Sequence, residues 1–185
     1  MRTITLPIIP IRNNVFFPNV VLPISAVRER SRAAVEAALG SDGSLAIFTQ
    51  RDPSVETPGF NDLYPVGVRV NIRKATRGEN GYQLVLQGFE RVSLGKMESE
   101  QPYLRGHVTP LITHRDMSSE TEALQRNVLA QAARMLILLG QAPPDGADAL
   151  VAQLAEQMSD PMQLVYFVAS TLSLDTPKSQ EVLEA

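Results

Sequence analysis

The residue types that could carry catalysis are few in this chain, and their spacing does not assemble a catalytic site. The two histidines, His107 and His114, lack the i, i+4 helical spacing of a metal-ligand pair. The serines fall in turns or near helix starts, and Lys178-Ser179 are neighbours beside a helix cap with no third group to hold a base. Because the chain contains no cysteine, it also has no thiol nucleophile and no thiolate zinc site. We therefore expect no catalytic residue and no metal site in this chain.

Nucleotide-binding motifs are also absent from the sequence. There is no Gly-x-x-x-x-Gly-Lys-Ser/Thr segment and no Gly-x-Gly-x-x-Gly segment after a strand. We expect no cofactor bound by these residues. What remains for function is apolar surface in positions where a strand or helix would normally be polar.

The first such surface is predicted on two short strands. In residues 82–87, the period of two places Val85 between Gln83 and Gln87 on the outward face. In residues 20–25, the same alternation leaves Val21 and Pro23 on the face that carries Ser25. Single exposed apolar residues are common, and a loop such as 50–62 could cover this face. The functional interpretation is a patch formed by Val21, Pro23 and Val85 that binds apolar peptide.

A second apolar surface is predicted on a helix. The run from Met135 to Leu139 is apolar all round for more than one turn. Such a run is usually buried in a core. The alternative is a contact to another subunit or to a following domain, through Met135, Ile137 and Leu138.

The elements that must position these residues fall into two classes along the chain. Residues 1–115 contain short β-branched or alternating runs and one helix over residues 29–39, whereas residues 116–185 follow the helical period. The predicted strands cover residues 6–11, 20–24, 44–49, 66–73, 82–92 and 103–112. A Gly78-Glu79-Asn80-Gly81 turn between two alternating runs predicts a hairpin. We expect an α+β chain: a β-rich pseudo-barrel over 1–115, then a helical subdomain over 116–185.

The helical part has its own start signals. Leu124, Val128, Ala132, Met135 and Leu139 recur at helical spacing. Asp160-Pro161 supplies an N-cap followed by a proline, and another helix is predicted to start near Pro177. The apolar stripe of that last helix has only begun at Ala185, so we expect the natural protein to continue.

Composition and charge indicate a cytoplasmic globular protein. Of the 185 residues, 44% are hydrophobic and 20% are charged, which excludes a disordered chain. Pro7, Pro10 and Arg12 interrupt any signal-peptide core, and no stretch approaches the length of a membrane span. Residues 1–115 hold 14 Lys+Arg against 10 Asp+Glu, and residues 116–185 hold 3 against 10. This basic excess is too dilute to predict nucleic-acid binding by itself.

The order and spacing of several short motifs resemble the N-terminal, substrate-recognition domain of the Lon ATP-dependent proteases. The resemblance covers essentially the whole chain. The matching segments are Leu6-Pro7-Ile8-Ile9-Pro10-Ile11-Arg12, Phe17-Pro18, Pro23-Ile24, Arg28 with Ser31, Gln50-Arg51-Asp52, Asp62-Leu63-Tyr64-Pro65-Val66-Gly67, Gly88-Phe89-Glu90-Arg91, Tyr103 and Lys178-Ser179-Gln180-Glu181-Val182-Leu183-Glu184. The last segment matches with an offset of one residue.

The resemblance implies a PUA-like barrel and a helical bundle, followed in the family by a long helix, an AAA+ ATPase and a Ser-Lys protease. The family's domain captures unfolded or degron-bearing proteins and assists assembly of a hexamer, without chemistry of its own. ATP and magnesium would then belong to modules outside this chain. No family motif states which residues touch a client, so Val21, Pro23 and Val85 rest on the alternation alone.

A second interpretation takes the PUA-like barrel as an RNA-binding module. It would use Arg69, Arg73, Lys74 and Arg77, of which Arg69 and Arg73 share a strand face by parity. A solvated outer face accounts for the same residues, and Tyr82 is the one aromatic obviously near them. We therefore do not expect nucleic acid as a partner, and the lack of a stretch long enough to span a membrane argues against a membrane partner. The expected partners are protein clients and other subunits.

Overall fold

The computed structural model describes residues 3–112, 118–138, 140, 149, 151–152, 160–171 and 174–185, without the side chains of residues 132, 135 and 136. Backbone contacts divide the chain into two compact units. One comprises Met1–Ile112 together with Tyr166–Ala185, and the other comprises Thr113–Val165. The predicted division at residue 115 assigns all of 116–185 to a helical subdomain, whereas in the structure the last twenty residues group with the β-rich unit.

Six strands and one helix form the N-terminal part of the first unit, as the alternation predicts. The strands are β1 (Ile4–Ile11), β2 (Val21–Ala26), β3 (Ser44–Thr49), β4 (Val66–Gly78), β5 (Gly81–Ser99) and β6 (Leu104–Pro110). Helix α1 (Glu29–Leu39) lies between β2 and β3, and a short 3-10 turn covers Phe60–Asp62. The β4–β5 hairpin closes with Gly78 paired to Gly81, which leaves Glu79-Asn80 as the predicted turn.

The sheet closes on itself because β5 is long enough to pair with three strands. The strand order is β2-β5-β4-β3-β1-β6, and the second half of β5 also pairs with β6. Among the strands of the described residues, β1 and β3 run parallel and the other pairs are antiparallel. This closed, β-rich sheet confirms the predicted pseudo-barrel. In the described part of the chain, strand β2 pairs with β5 and stands at the end of the strand order.

The core lies inside the closed sheet and beneath α1. Strand β3 is buried along its whole length, since α1 contacts both β1 and β3 and the barrel interior takes the other face. One apolar cluster fills the interior between β1, β3 and β6. Its buried members are Leu6, Ile8, Ala46, Phe48, Leu63, Val92, Leu104 and Val108.

Three further helices are described: α2 (Ser119–Leu138), α3 (Pro161–Thr171) and α4 (Thr176–Glu184). Asp160 caps α3 as predicted, because its Oδ1 accepts a hydrogen bond from the backbone N–H of Met162 at 3.0 Å. Helix α4 begins where Pro177 predicts it, with the Asp175 carboxylate accepting from the backbone N–H of Lys178. Most of the sequence between α2 and α3 lies outside the described residues, including part of the expected helical bundle.

Helix α4 returns to the barrel and is held there by buried polar contacts. The Arg91 guanidinium, on β5, donates to the backbone carbonyl of Leu183 at 2.9 Å. The Gln180 amide donates to the carbonyl of Val66 at 2.8 Å. The Leu183 side chain is only 1% exposed, so α4 contributes to the core of the β-rich unit.

Truncating Leu183 is expected to test this docking. Leu183→Ala removes a fully buried side chain and leaves a cavity, at a cost of about 3 kcal/mol in the free energy of unfolding. Urea denaturation followed by circular dichroism measures it, with Glu181→Ala on the exposed face of the same helix as the control. Equal unfolding midpoints for the two variants would contradict the docking of α4.

Candidate functional site

The register of β2 against β5 brings the three predicted surface residues together. Pro23 lies directly opposite Val85, and Val21 lies opposite Gln87, two residues further along β5. Side chains of directly opposed residues point to the same face of a sheet. Val21, Pro23 and Val85 therefore share one face, which we call the outer patch.

The outer patch is accessible to solvent. Val21 is 53% exposed and Pro23 is also exposed, while Val85 is half-buried. The neighbours of these residues along the two strands, Leu22, Leu84 and Leu86, face the opposite side and are half-buried or buried. The structure therefore confirms that Val21, Pro23 and Val85 share an outward face, as the alternation predicts. That this face binds a client stays a prediction.

Position 23 suits a proline because β2 is an edge strand. The backbone N–H of Gly88 donates to the Val20 carbonyl, so alternate residues of β2 direct their backbone groups toward β5, starting from Val20. Val21, Pro23 and Ser25 are the intervening residues, with backbone groups directed to the free edge. A proline there removes no ladder hydrogen bond and leaves no N–H to pair with an added strand. The edge thus favours contact through side chains over strand addition.

Phe89 is a further exposed apolar residue on β5 that was not proposed from the sequence. It is 46% exposed, and it is the extra residue of a bulge, since Arg69 pairs with Glu90 and Val70 pairs with Gly88. The alternation Gln83, Val85, Gln87, Phe89 was the signal that could have identified it. Its ring widens the apolar area beyond the outer patch.

Basic and polar groups border this face of β5. The Arg69 guanidinium is 3.0 Å from the Glu90 carboxylate and lies over the Phe89 ring at 5.9 Å from its centroid. The Arg73 Nε donates to the Gln87 side-chain oxygen. These contacts hold the Arg69 and Arg73 side chains at the border of the apolar area, and Lys74, opposite Val85 on β4, borders the outer patch on the same side.

A second bulge separates the basic residues considered for RNA. Ile72 pairs with Leu86 and Lys74 pairs with Val85, so Arg73 is the extra residue on β4. Lys74 consequently shares the face of Val85, whereas Arg77 lies opposite Tyr82, with its guanidinium 5.9 Å from the ring centroid. Arg69 and Lys74 of the RNA hypothesis therefore share one face of β4, whereas Arg77 lies on the other face.

The second predicted surface is only partly described. Along α2, Leu138 is 87% exposed and Ile137 is half-buried, while the side chain of Met135 lies outside the described residues. An exposed leucine at the end of a helix is compatible with an interface to a subunit or a domain. That role of Met135, Ile137 and Leu138 stays a prediction.

Several of the motif residues have structural tasks. A Cβ at Gly88 would overlap the backbone carbonyl of Phe17, and one at Gly67 would overlap the carbonyl of Ile47 and the ring of Phe48. Arg91 holds α4, as described above. Within the described ranges, no cluster of three or more His, Asp or Glu side chains could hold a metal ion. None of the described helices has the length and hydrophobicity that crossing a membrane requires.

The closed β-rich sheet and its docked helix define a fold that solved structures share. The N-terminal domain of Lon protease from the Mycobacterium avium complex superimposes with a TM-score of 0.72 at 21% identity, covering 98% of this chain and 90% of that one. A Lon N-terminal domain protein from Xanthomonas campestris superimposes with a TM-score of 0.66 at 16% identity, again over 98% of this chain and 90% of that one. These likenesses establish the fold.

Sequence similarity establishes the family. The family described as the ATP-dependent protease La (LON) substrate-binding domain matches residues 5–185, and this chain belongs to it. Lon protease of Nitrosococcus oceani is 38% identical over 180 residues, covering 97% of this chain and 23% of its own length. Lon protease of Koribacter versatilis is 37% identical over 183 residues, covering 97% of this chain and 22% of its own length. The chain spans about a fifth of the length of the curated relatives that it matches.

Proposed function

We propose that this chain captures unfolded or degron-bearing proteins for a Lon-type protease and performs no chemistry itself. The observation that carries the proposal is the outer patch, an exposed apolar area on a closed sheet. Hydrophobic attraction is non-directional and tolerant of sequence, so such a patch suits clients that share exposed apolar segments and little else.

The proposal assigns the remaining activities to other parts of a longer protein. ATP and magnesium would bind an ATPase module, and peptide hydrolysis would occur in a serine protease module, because the relatives are proteases several times longer than this chain. Other subunits of a homo-hexamer would be partners, with Met135, Ile137 and Leu138 as candidate contacts. The setting would be cytoplasmic protein quality control.

The dependence of client affinity on salt tests this proposal. Binding of a fluorescently labelled, chemically unfolded protein to the 185-residue chain is measured by anisotropy at about 0.05 M and about 1 M salt, with the folded form as the control. Apolar contacts are not screened, so affinity for the unfolded form should be unchanged or higher in 1 M salt. The folded form should bind at neither salt concentration.

Two outcomes would argue against apolar capture. If affinity falls steeply as the salt concentration rises, the partner is bound mainly by charge, as RNA or an acidic protein surface would be. Equal binding of folded and unfolded forms would show that exposed apolar segments are not what the chain recognises.

A further inference from the structure

Three arginines that are distant in sequence converge on one cleft in the β-rich unit. Arg12 comes from the end of β1, Arg28 directly precedes α1, and Arg30 lies in its first turn. The cleft has a volume of about 640 Å³, which is within the range of small-ligand and peptide-end sites. It is distinct from the outer patch, because none of Val21, Pro23 or Val85 lines it.

Among the described residues, these guanidiniums are held by neutral oxygens and have no carboxylate within ion-pair distance. Arg12 donates to the Val55 carbonyl at 2.8 Å, and Arg28 donates to the Gln50 side chain at 3.0 Å. Arg30 donates to the carbonyls of Pro58 and Glu100. Across the described ranges, no carboxylate oxygen lies within 4.0 Å of a nitrogen of these three side chains. Each guanidinium has five N–H donors, so the three retain unused donor capacity.

The electrostatics of the cleft favour an added anion. Burial, and after it the nearby positive charge of Arg12, lowers the pKa of Arg28 from its usual value, while Glu56 raises it. Glu29 and Glu56 are the two acidic residues that line the cleft, and both are exposed. One negative charge placed among the three guanidiniums would relieve their mutual repulsion and supply the carboxylate that they lack.

Part of the cleft wall is apolar and restricts the kind of anion. The apolar lining comprises Ile8, Pro10, Ala33, Pro58, Pro102 and Leu104, and the neutral polar lining comprises Ser31, Thr57 and Gln101. A phosphate chain would gain little from the apolar lining, and because it carries more negative charge, Glu29 and Glu56 would repel it more strongly than they repel a single carboxylate. A carboxylate attached to an apolar group matches both the guanidiniums and the walls.

We propose that this cleft binds a peptide carboxylate next to an apolar side chain, as a second client contact separate from the outer patch. The inference rests on the proposed function and names a chemical feature of the clients. The carboxylate is either the free C-terminus of the peptide or an Asp or Glu side chain within it. Arg28 is the residue best placed for a test, because its only side-chain hydrogen bond in the described residues is to Gln50.

The test uses the 185-residue chain and short fluorescein-labelled peptides of alanine and glycine. One ends in leucine with a free carboxylate, one is its C-terminal amide, and one is amidated but carries an internal Glu-Leu pair. The free-acid peptide, the Glu-Leu peptide or both should bind, and the amide without glutamate should bind at least about tenfold more weakly. Inorganic phosphate and a single-stranded oligonucleotide serve as competitors and should not displace the bound peptide.

Two variants of the chain test whether the labelled peptide binds in this cleft. Arg28→Gln should weaken the bound peptide at least about tenfold, whereas Arg73→Gln, which removes the same charge on β4, should leave its affinity unchanged. Amide shifts of the unaltered chain on titration should include Arg12, Arg28 and Ser31. If neither carboxylate peptide binds more tightly than the amide without glutamate, or if the shifts are confined to other regions, the inference is overturned. So would displacement by the oligonucleotide.

Failure here is distinguishable from failure of the proposed function. If an unfolded client still binds the outer patch while neither carboxylate peptide binds more tightly than the amide without glutamate, only the carboxylate site is overturned. Peptide binding that depends on Arg28, with no affinity for an unfolded client at high salt, would overturn apolar capture. The carboxylate site in the cleft would still be supported.

Discussion

Replacing Val21 and Val85 together by glutamate is expected to weaken the binding of an unfolded client at least about tenfold. Burying a valine side chain contributes about 1.5 kcal/mol or more, and these residues form the centre of the outer patch. Losing even one such contribution reduces affinity about tenfold. Anisotropy with a labelled unfolded protein measures the change, and circular dichroism confirms that the variant keeps its fold.

The matched control places the opposite charge at the same two positions. If apolar area determines affinity, Val21→Lys with Val85→Lys should weaken binding as much as the glutamate pair does. If the client is attracted by charge, the two pairs should change affinity in opposite directions. Unchanged affinity in both pairs would show that the outer patch is not the client site.

Gly67→Val is expected to prevent folding of the β-rich unit, at a cost of more than about 4 kcal/mol. Gly67 lies on β4, where any side chain would overlap the Ile47 carbonyl and the Phe48 ring. Both obstacles belong to β3, which is buried along its length and cannot move aside. Thermal denaturation and the amount of soluble protein measure the effect.

Gly78→Val is the control for this prediction. It makes the same change at the end of the same strand, where the nearest atom to an added Cβ is the Gly81 carbonyl at 3.8 Å. Its melting temperature should stay close to that of the unaltered chain. Similar losses for Gly67→Val and Gly78→Val would contradict the close approach of β3 and β4.

The strands and the outer patch could be predicted because they depend on local patterns. Period-two alternation places Val21 and Pro23 correctly, since β2 contains no bulge between them. The Gly78 to Gly81 turn defines the hairpin in the same way. The bulges at Arg73 and Phe89 are different, because the alternation contains no signal for an inserted residue. Arg77 is therefore on the opposite face from the one that parity suggests.

Contacts between distant segments could not be predicted from the pattern alone. The return of α4 to the barrel depends on Arg91 and Leu183, which are 92 residues apart in the sequence, and a lone arginine in a strand normally predicts a solvated position. The cleft of Arg12, Arg28 and Arg30 likewise exists only once β1, α1 and the loop before β4 are assembled. Residue spacing along the sequence predicts neither the docking of α4 nor the cleft.

The most direct test of apolar client capture is to map amide signals of the isotope-labelled chain during titration with a chemically unfolded client, at low and high salt. The account predicts that broadening concentrates on Val21, Leu22 and Val85, persists at high salt, and does not occur with the folded form of the same client. Broadening that disappears in salt and centres on Arg69 and Arg73, or no broadening by either form, would contradict it.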